Sequence, residues 1–162
     1  MNFLPHIDSF KTIPDSVFDS DNTIDIEDWC KALDYMKIIG GSFTYNGIIR
    51  IKKTFPEPNE YVLNKKLLMP EGFKCTDRIV FRNLKMIELP EDLTITGSGL
   101  FLFDTCCLSK LDINKIKFLY IEISESVPNY DLKKIDNFIM AHYGPNIEKE
   151  SIGSLVTYSI WL

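Results

Sequence analysis

A five-residue motif that recurs after 20 residues is the feature that most constrains the fold of this chain. The motif reads apolar, Pro, acid, any residue, apolar, and it occurs at residues 69–73 and 89–93. A further copy at 13–17 begins 56 residues before the copy at 69–73, so the residues between them read as an insertion. A period of about 20 residues with one short strand per unit is typical of solenoids, whose strands stack in a parallel sheet.

The residues that follow each proline also repeat. Apolar residues come five, nine and eleven positions after Pro70, and five, ten and twelve positions after Pro90. These residues are Cys75, Ile79 and Phe81 in one unit and Ile95, Leu100 and Leu102 in the next. A third unit is predicted to begin at Leu111, with Asp112 in the place of the proline and Ile121 and Ile123 as its apolar pair. We expect the alternating apolar residues to point into the core.

The stretch L-P-E-D-L-T-I-T-G at residues 89–97, followed by Leu100 and Leu102, resembles a known repeat family. It is similar to the short leucine-rich, β-solenoid-like repeats of bacterial and phage proteins, which read L-P-x-x-L-x-V-x-G and then L-x-L. The resemblance extends over about residues 69–128. It implies a binding scaffold and no catalytic residues.

The repeat also predicts which residues share the other face of the strands. One row contains Val80, Phe101 and Tyr120, and the next row contains Arg82, Phe103 and Glu122. Two phenylalanines and a tyrosine on an outward face need a cover or a partner. Because two predicted helices have apolar stripes to bury, we expect a helix to cover this face; the alternative is a partner-binding surface.

The remaining pattern predicts an α+β fold in a single domain, 1–162. Helices are expected at 25–39 and 129–142, since apolar residues recur there at helical spacing and glycines follow each segment. Asn46-Gly47 between apolar runs predicts an N-terminal hairpin over 42–53, and residues 154–162 read as a C-terminal strand. The chain then divides into an acidic segment, 1–58, a small β-solenoid-like sheet, 60–128, and a terminal helix and strand, 129–162.

The negative charge of the chain is concentrated at its start. The net charge is -5, and residues 1–34 hold eight acidic and two basic residues. Such a field repels nucleic acid and attracts a basic protein surface, so direct nucleic-acid binding is not expected. The alternative is an acidic, solvated surface that keeps the chain soluble. The candidate binding residues of this segment are Asp15, Asp19, Asp21, Asp25, Glu27 and Asp28.

Residue types that carry catalysis or hold metals are sparse. The chain has four cysteines without a C-x-x-C pair and two histidines, so we predict neither a metal site nor a cofactor. Residues 19–27 begin like a calcium-binding loop, but Ile24 stands at the sixth position where that loop needs glycine. An enzyme would need a site such as Asp104 with Glu122, or Cys106 as a nucleophile.

We therefore predict a non-enzymatic protein-interaction module that binds a partner with a basic surface through acidic and aromatic residues. A phage or mobile-element inhibitor of a host nucleic-acid-handling defence protein fits this profile. The alternatives are a small hydrolase with a carboxylate or cysteine site, and a structural subunit that forms a homodimer through its C-terminal strand. We expect a cytoplasmic protein, in the host cytoplasm if viral, with no membrane partner, because no apolar run approaches about 20 residues.

Overall fold

The computed structural model describes residues 12–53, 62–112, 114–124 and 132–161, with side chains from residue 67 onward in the second range. A 3₁₀ turn at Asp15–Val17 precedes the regular elements. The helices are α1 (Ile26–Ile39) and α2 (Leu132–Tyr143). The strands are β1 (Thr23–Asp25), β2 (Thr44–Tyr45), β3 (Ile48–Lys52), β4 (Val62–Leu67), β5 (Lys74–Cys75), β6 (Arg78–Glu88), β7 (Thr94–Ile95), β8 (Gly99–Cys107), β9 (Phe118–Ser124), β10 (Ile147–Ile152) and β11 (Leu155–Trp161).

The described strands form two sheets, and with the two helices they make an α+β fold, as predicted. The large sheet has the order β1-β3-β6-β8-β9-β11-β10, and β4 pairs with the far end of β6. Neighbours from β1 to β9 are parallel, whereas β11 and β10 are antiparallel to their neighbours. The small sheet contains β2, β5 and β7, all parallel.

The strand register follows the spacing read from the sequence. Lys74 pairs with Thr94 in the small sheet, and Arg78 pairs with Gly99 in the large one. Each proline motif closes the same turn, because the Pro70 and Pro90 carbonyls accept hydrogen bonds from the amides three residues later. Asp112 closes an equivalent turn onto Lys115, which confirms its predicted place at the start of a third unit.

Two details of the predicted repeat are wrong. Leu119 pairs with Leu100 and Ile121 with Leu102, so the third apolar pair lies two residues before the predicted one. The motif at 13–17 makes the same turn, but its paired residue, Thr12, comes before the turn instead of after it. That copy is therefore out of register with the others.

The predicted hairpin at 42–53 is also wrong. β2 pairs with β5 in the small sheet, whereas β3 pairs with β1 and β6 in the large sheet. Asn46-Gly47 is the corner between the two sheets, where Gly47 has a φ of +140° that favours glycine. A turn signal reports a change of chain direction, and parallel partners about 30 residues away decide the pairing here.

The core lies on the inner face of the large sheet. Two inner rows hold Ile49, Ile79, Leu100 and Leu119, and Ile51, Phe81, Leu102 and Ile121. The buried residues of both helices join the same core. The α1 helix is fixed there by the Trp29 indole, whose Nε1 donates to the Leu68 carbonyl at 2.6 Å.

Both predicted helices are confirmed within the described residues. The Asp25 side chain accepts from the Glu27 amide and caps α1, which ends before Gly40. The start predicted for α2, residues 129–131, lies outside the described residues. The terminal strand is confirmed as β11, whereas its partner β10 was not predicted. None of the helices in the described ranges is long and apolar enough to cross a membrane.

Candidate interaction surface

The outer face of the large sheet, which points away from the core, brings together the two predicted rows. Val80 pairs with Phe101 and Phe101 with Tyr120. In the neighbouring row Arg82 pairs with Phe103 and Phe103 with Glu122. Both predicted neighbourhoods are confirmed, because the unit length and the two-residue period of a strand place these residues side by side.

An aromatic cluster occupies the middle of the outer face. It consists of Phe101, Phe103, Phe118, Tyr120 and Trp161. Ring centroids lie 5.7 Å apart for Phe101 and Phe118, 5.7 Å for Phe103 and Tyr120, and 5.5 Å for Phe118 and Trp161. Phe118 and Trp161 were not among the predicted residues, although Phe118 shares the strand parity of Tyr120.

No described element covers the aromatic cluster, so the expected helical cover is wrong. The five rings contact one another but are not among the residues that pack against the core. Trp161 is 50% exposed, and Ile152 and Leu155 beside it are 69% and 39% exposed. The reason is that the apolar stripes of both helices are already buried on the inner face.

A basic flank borders the aromatic cluster on the β3 and β6 side. It consists of Arg50, Lys52, Arg78 and Arg82. The Arg82 guanidinium lies 4.0 Å from the Phe103 ring centroid, and that of Arg78 lies 5.6 Å from the Phe101 centroid. Such cation–π contacts hold arginine heads against the rings. The flank is therefore continuous with the aromatic surface.

An acidic flank borders the cluster on the opposite side. It consists of Glu122, Glu148 and Glu150, which with Tyr120 and Trp161 line a groove of about 500 Å³. The Tyr120 hydroxyl donates to Glu122 Oε1 at 3.0 Å. Burial and the neighbouring Glu122 carboxylate raise the pKa of Tyr120, so its hydroxyl stays a donor. Glu148 and Glu150 were missed in the sequence because β10 carries little apolar signal.

The acidic residues near the start of the chain have local roles. Asp15 accepts from the Tyr45 hydroxyl at 3.1 Å, and Glu27 pairs with Lys53 at 3.0 Å. Asp19 accepts from the Asp21 and Thr23 amides, and these bonds lower its pKa. Asp25 caps α1, and Asp28 lies 3.9 Å from Lys31.

The structure does not bring these acids to the aromatic cluster. In the outer row of the sheet, Lys52 and Arg82 stand between Asp25 and Phe103. The predicted site therefore divides into two: an aromatic surface with charged flanks, and a separate acidic segment at the β1 edge.

The residues proposed for catalysis are held in structural contacts. Asp104, at φ +46°, accepts from the Ser124 amide at 2.8 Å, whereas Glu122 accepts from Tyr120. Cys106 is 1% exposed, and burial raises the pKa of its thiol, which disfavours the nucleophilic thiolate. The described residues also include no group of three or more His, Cys, Asp or Glu placed to hold a metal.

The predicted pairing edge of the terminal strand is also not as expected. β11 lies inside the sheet, paired with β9 on one side and β10 on the other. The edge strand at this end is β10, so β11 has no open edge for a homodimer.

No protein-family model, curated protein or solved structure matches this chain. Its function is therefore inferred from its own residues, above all from the outer face.

Proposed function

We propose that this chain is a non-enzymatic protein-interaction module that binds a partner through the outer face of its large sheet. The observation that carries the proposal is the aromatic cluster, five rings that pack on one another without a cover from the described chain. Exposed apolar surface of this kind marks binding sites, and Tyr, Trp and Arg are the residues that dominate binding energy at interfaces.

The charges of the face define the chemistry of the partner. The basic flank suits acidic residues, the acidic flank suits basic residues, and the aromatic cluster between them suits an apolar centre. A partner surface of that composition buries the rings and pairs both flanks at the rim, where charges set orientation and specificity.

We also propose that the scaffold is a short β-solenoid. Successive units are offset by 20 residues at Lys74 and Thr94, by 21 at Arg78 and Gly99, and by 19 at Leu100 and Leu119. Each of these units contributes a short strand or bridge to the small sheet and a longer strand to the large one. Repeat scaffolds of this kind bury one face and present the other to partners.

Affinity capture with matched variants tests the proposal. The bait is the full chain, the face variant is Trp161→Ser, and the control is Ile38→Ser on α1, which is 83% exposed and away from the outer face. We expect a stoichiometric protein from source-cell lysate on the wild type and the control, and its loss with Trp161→Ser. Equal capture by all three baits, or no specific protein on the wild type, would overturn the proposal. Circular dichroism confirms that each bait is folded.

The narrower hypothesis, an inhibitor of a nucleic-acid-handling protein that uses the acidic segment, rests on Asp21 and Glu27 most directly. Both are exposed, and neither side chain caps a helix. In this hypothesis the variant Asp21→Asn/Glu27→Gln weakens capture and removes part of its salt dependence. Capture that is unchanged by this variant and by high salt would exclude the acidic segment as the binding site.

Single-stranded nucleic acid is a second candidate ligand, favoured by the arginines that lie on the rings. Sheet aromatics beside cations can stack bases and hold phosphates. Against it, Glu122, Glu148 and Glu150 share the face and repel a phosphate backbone. Titration with a labelled oligothymidine separates the two: quenching of Trp161 fluorescence that weakens steeply with salt would favour nucleic acid over a protein partner.

A further inference from the structure

We propose that a second copy of this chain is a partner of the outer face, docked face to face about a two-fold axis that runs parallel to the strands between β8 and β9. The inference rests on the proposed function, because it uses the same face. It is carried by the order of charges and rings across the sheet.

The strand order makes the face self-complementary. Along β3-β6-β8-β9-β11-β10, three strands lie on each side of the axis. The rotation places β8 opposite β9 of the second copy, β6 opposite β11, and β3 opposite β10. Because the axis is parallel to the strands, each cross-strand row faces the same row of the second copy. Aligned packing of two sheets about 10 Å apart is a common arrangement.

Two rows place opposite charges against each other at both ends. One row runs Arg50, Val80, Phe101, Tyr120, Ser159, Glu148, as the paired residues show. Arg50 then faces Glu148 of the second copy. In the neighbouring row, Lys52 likewise faces Glu150 of the second copy. The symmetry makes each of these pairs twice.

The centre of the arrangement is aromatic. Phe101 faces Tyr120 of the second copy, next to the axis. Arg78 faces Trp161 of the second copy, since Arg78 and Trp161 share the row that includes Gly99 and Phe118. That contact would cover the indole that is half exposed in the single chain.

The charges also select this axis over its alternative. A two-fold axis perpendicular to the strands would place the basic flank on itself and the acidic flank on itself. Like charges in direct opposition disfavour that arrangement. Six strands about 4.8 Å apart span roughly 24 Å, which is near the low end of specific interfaces, so the dimer is expected to depend on concentration.

Reciprocal charge reversal tests the inference on the purified full chain. Lys52→Glu and Glu150→Lys each turn both symmetry-related pairs into like charges. We expect sedimentation equilibrium to show a wild-type dimer at high concentration and dissociation at least tenfold greater for each variant alone. An equal mixture of the two variants regains the dimer, because Lys and Glu again face each other at both pairs.

A matched control separates this contact from general charge effects. Lys37→Glu makes the same change on the exposed side of α1 and should leave the dimer unaltered. A wild type that stays monomeric at roughly 0.5 mM, or a mixture no better associated than its parts, overturns the inference. If the capture experiment still depends on Trp161 in that case, the proposed function stands with a different protein as partner. If neither experiment depends on the face, both proposals fail.

Discussion

Two phenylalanines on neighbouring strands face opposite sides of the sheet, so replacing each by alanine tests whether the outer face is open. Phe81 on β6 lies in an inner row and is fully buried between Ile51 and Leu102. Phe103 on β8 lies on the outer face and is partly exposed. The two substitutions remove the same atoms from the same kind of element. Their effects therefore differ only through the surroundings of each ring.

The structure gives different magnitudes for the two changes. Phe81→Ala removes a fully buried ring and leaves a cavity, which costs about 3–5 kcal/mol of the free energy of unfolding. Phe103→Ala loses a ring contact with Tyr120 and a cation–π contact with Arg82. Those two contacts are worth about 1–2 kcal/mol together.

Urea unfolding followed by circular dichroism measures both changes. With an m-value of about 2 kcal/mol per molar urea, the unfolding midpoint falls by roughly 2 M for Phe81→Ala and by under about 1 M for Phe103→Ala. Phe103→Ala also weakens self-association and capture of the partner. A loss of stability for Phe103→Ala equal to that for Phe81→Ala would refute the reasoning, because it would mean that the outer face is packed like the core.

Three further outcomes are expected. Asp136→Ala should cost about 1–3 kcal/mol, and much less in a Tyr158→Phe background, because Tyr158 donates to Asp136 at 3.0 Å and is 1% exposed. Bonds from Lys149 and Tyr158 hold the pKa of Asp136 below 3.8, so this stabilisation is complete above about pH 4 and disappears as the pH falls through the folded-state pKa; acid titrations of wild type and variant should converge there. Gly99→Ala should lower the free energy of unfolding by about 1–3 kcal/mol, since a Cβ would collide with a backbone carbonyl of β9 and φ is +128°. In the native state only Cys30 should react with a thiol reagent at pH 8, whereas all four cysteines should react in denaturant, because the other three are buried; rapid reaction of more than one native thiol would contradict this placement.

The rows of the outer face could be predicted from the sequence because two periods combine. The unit length of about 20 residues sets which strands are neighbours, and the two-residue period sets which side chains share a face. That was enough to place Val80, Phe101 and Tyr120 together without any knowledge of the rest of the fold.

The errors arise where distant segments decide the outcome. Asn46-Gly47 is compatible with a hairpin and with a corner, and only the parallel partners of β2 and β3 distinguish them. β10 is exposed at nearly every residue, so it lacks the alternation that identifies a strand. Likewise, an apolar stripe shows that a helix is buried but does not show which side of a sheet it covers. The two flanks of the face, which depend on β3 and β10, were therefore beyond reach.

The reversal of direction at β11 limits how an assembly of this chain can grow. A stack of parallel strands offers the next chain an edge that could lengthen the sheet without end. Here the sheet closes with antiparallel strands, and β10 at that edge carries Glu148, Lys149 and Glu150 in succession. Charged edge strands resist further pairing. Crowding this protein should therefore yield closed pairs through the face, and filaments through the edge should not form.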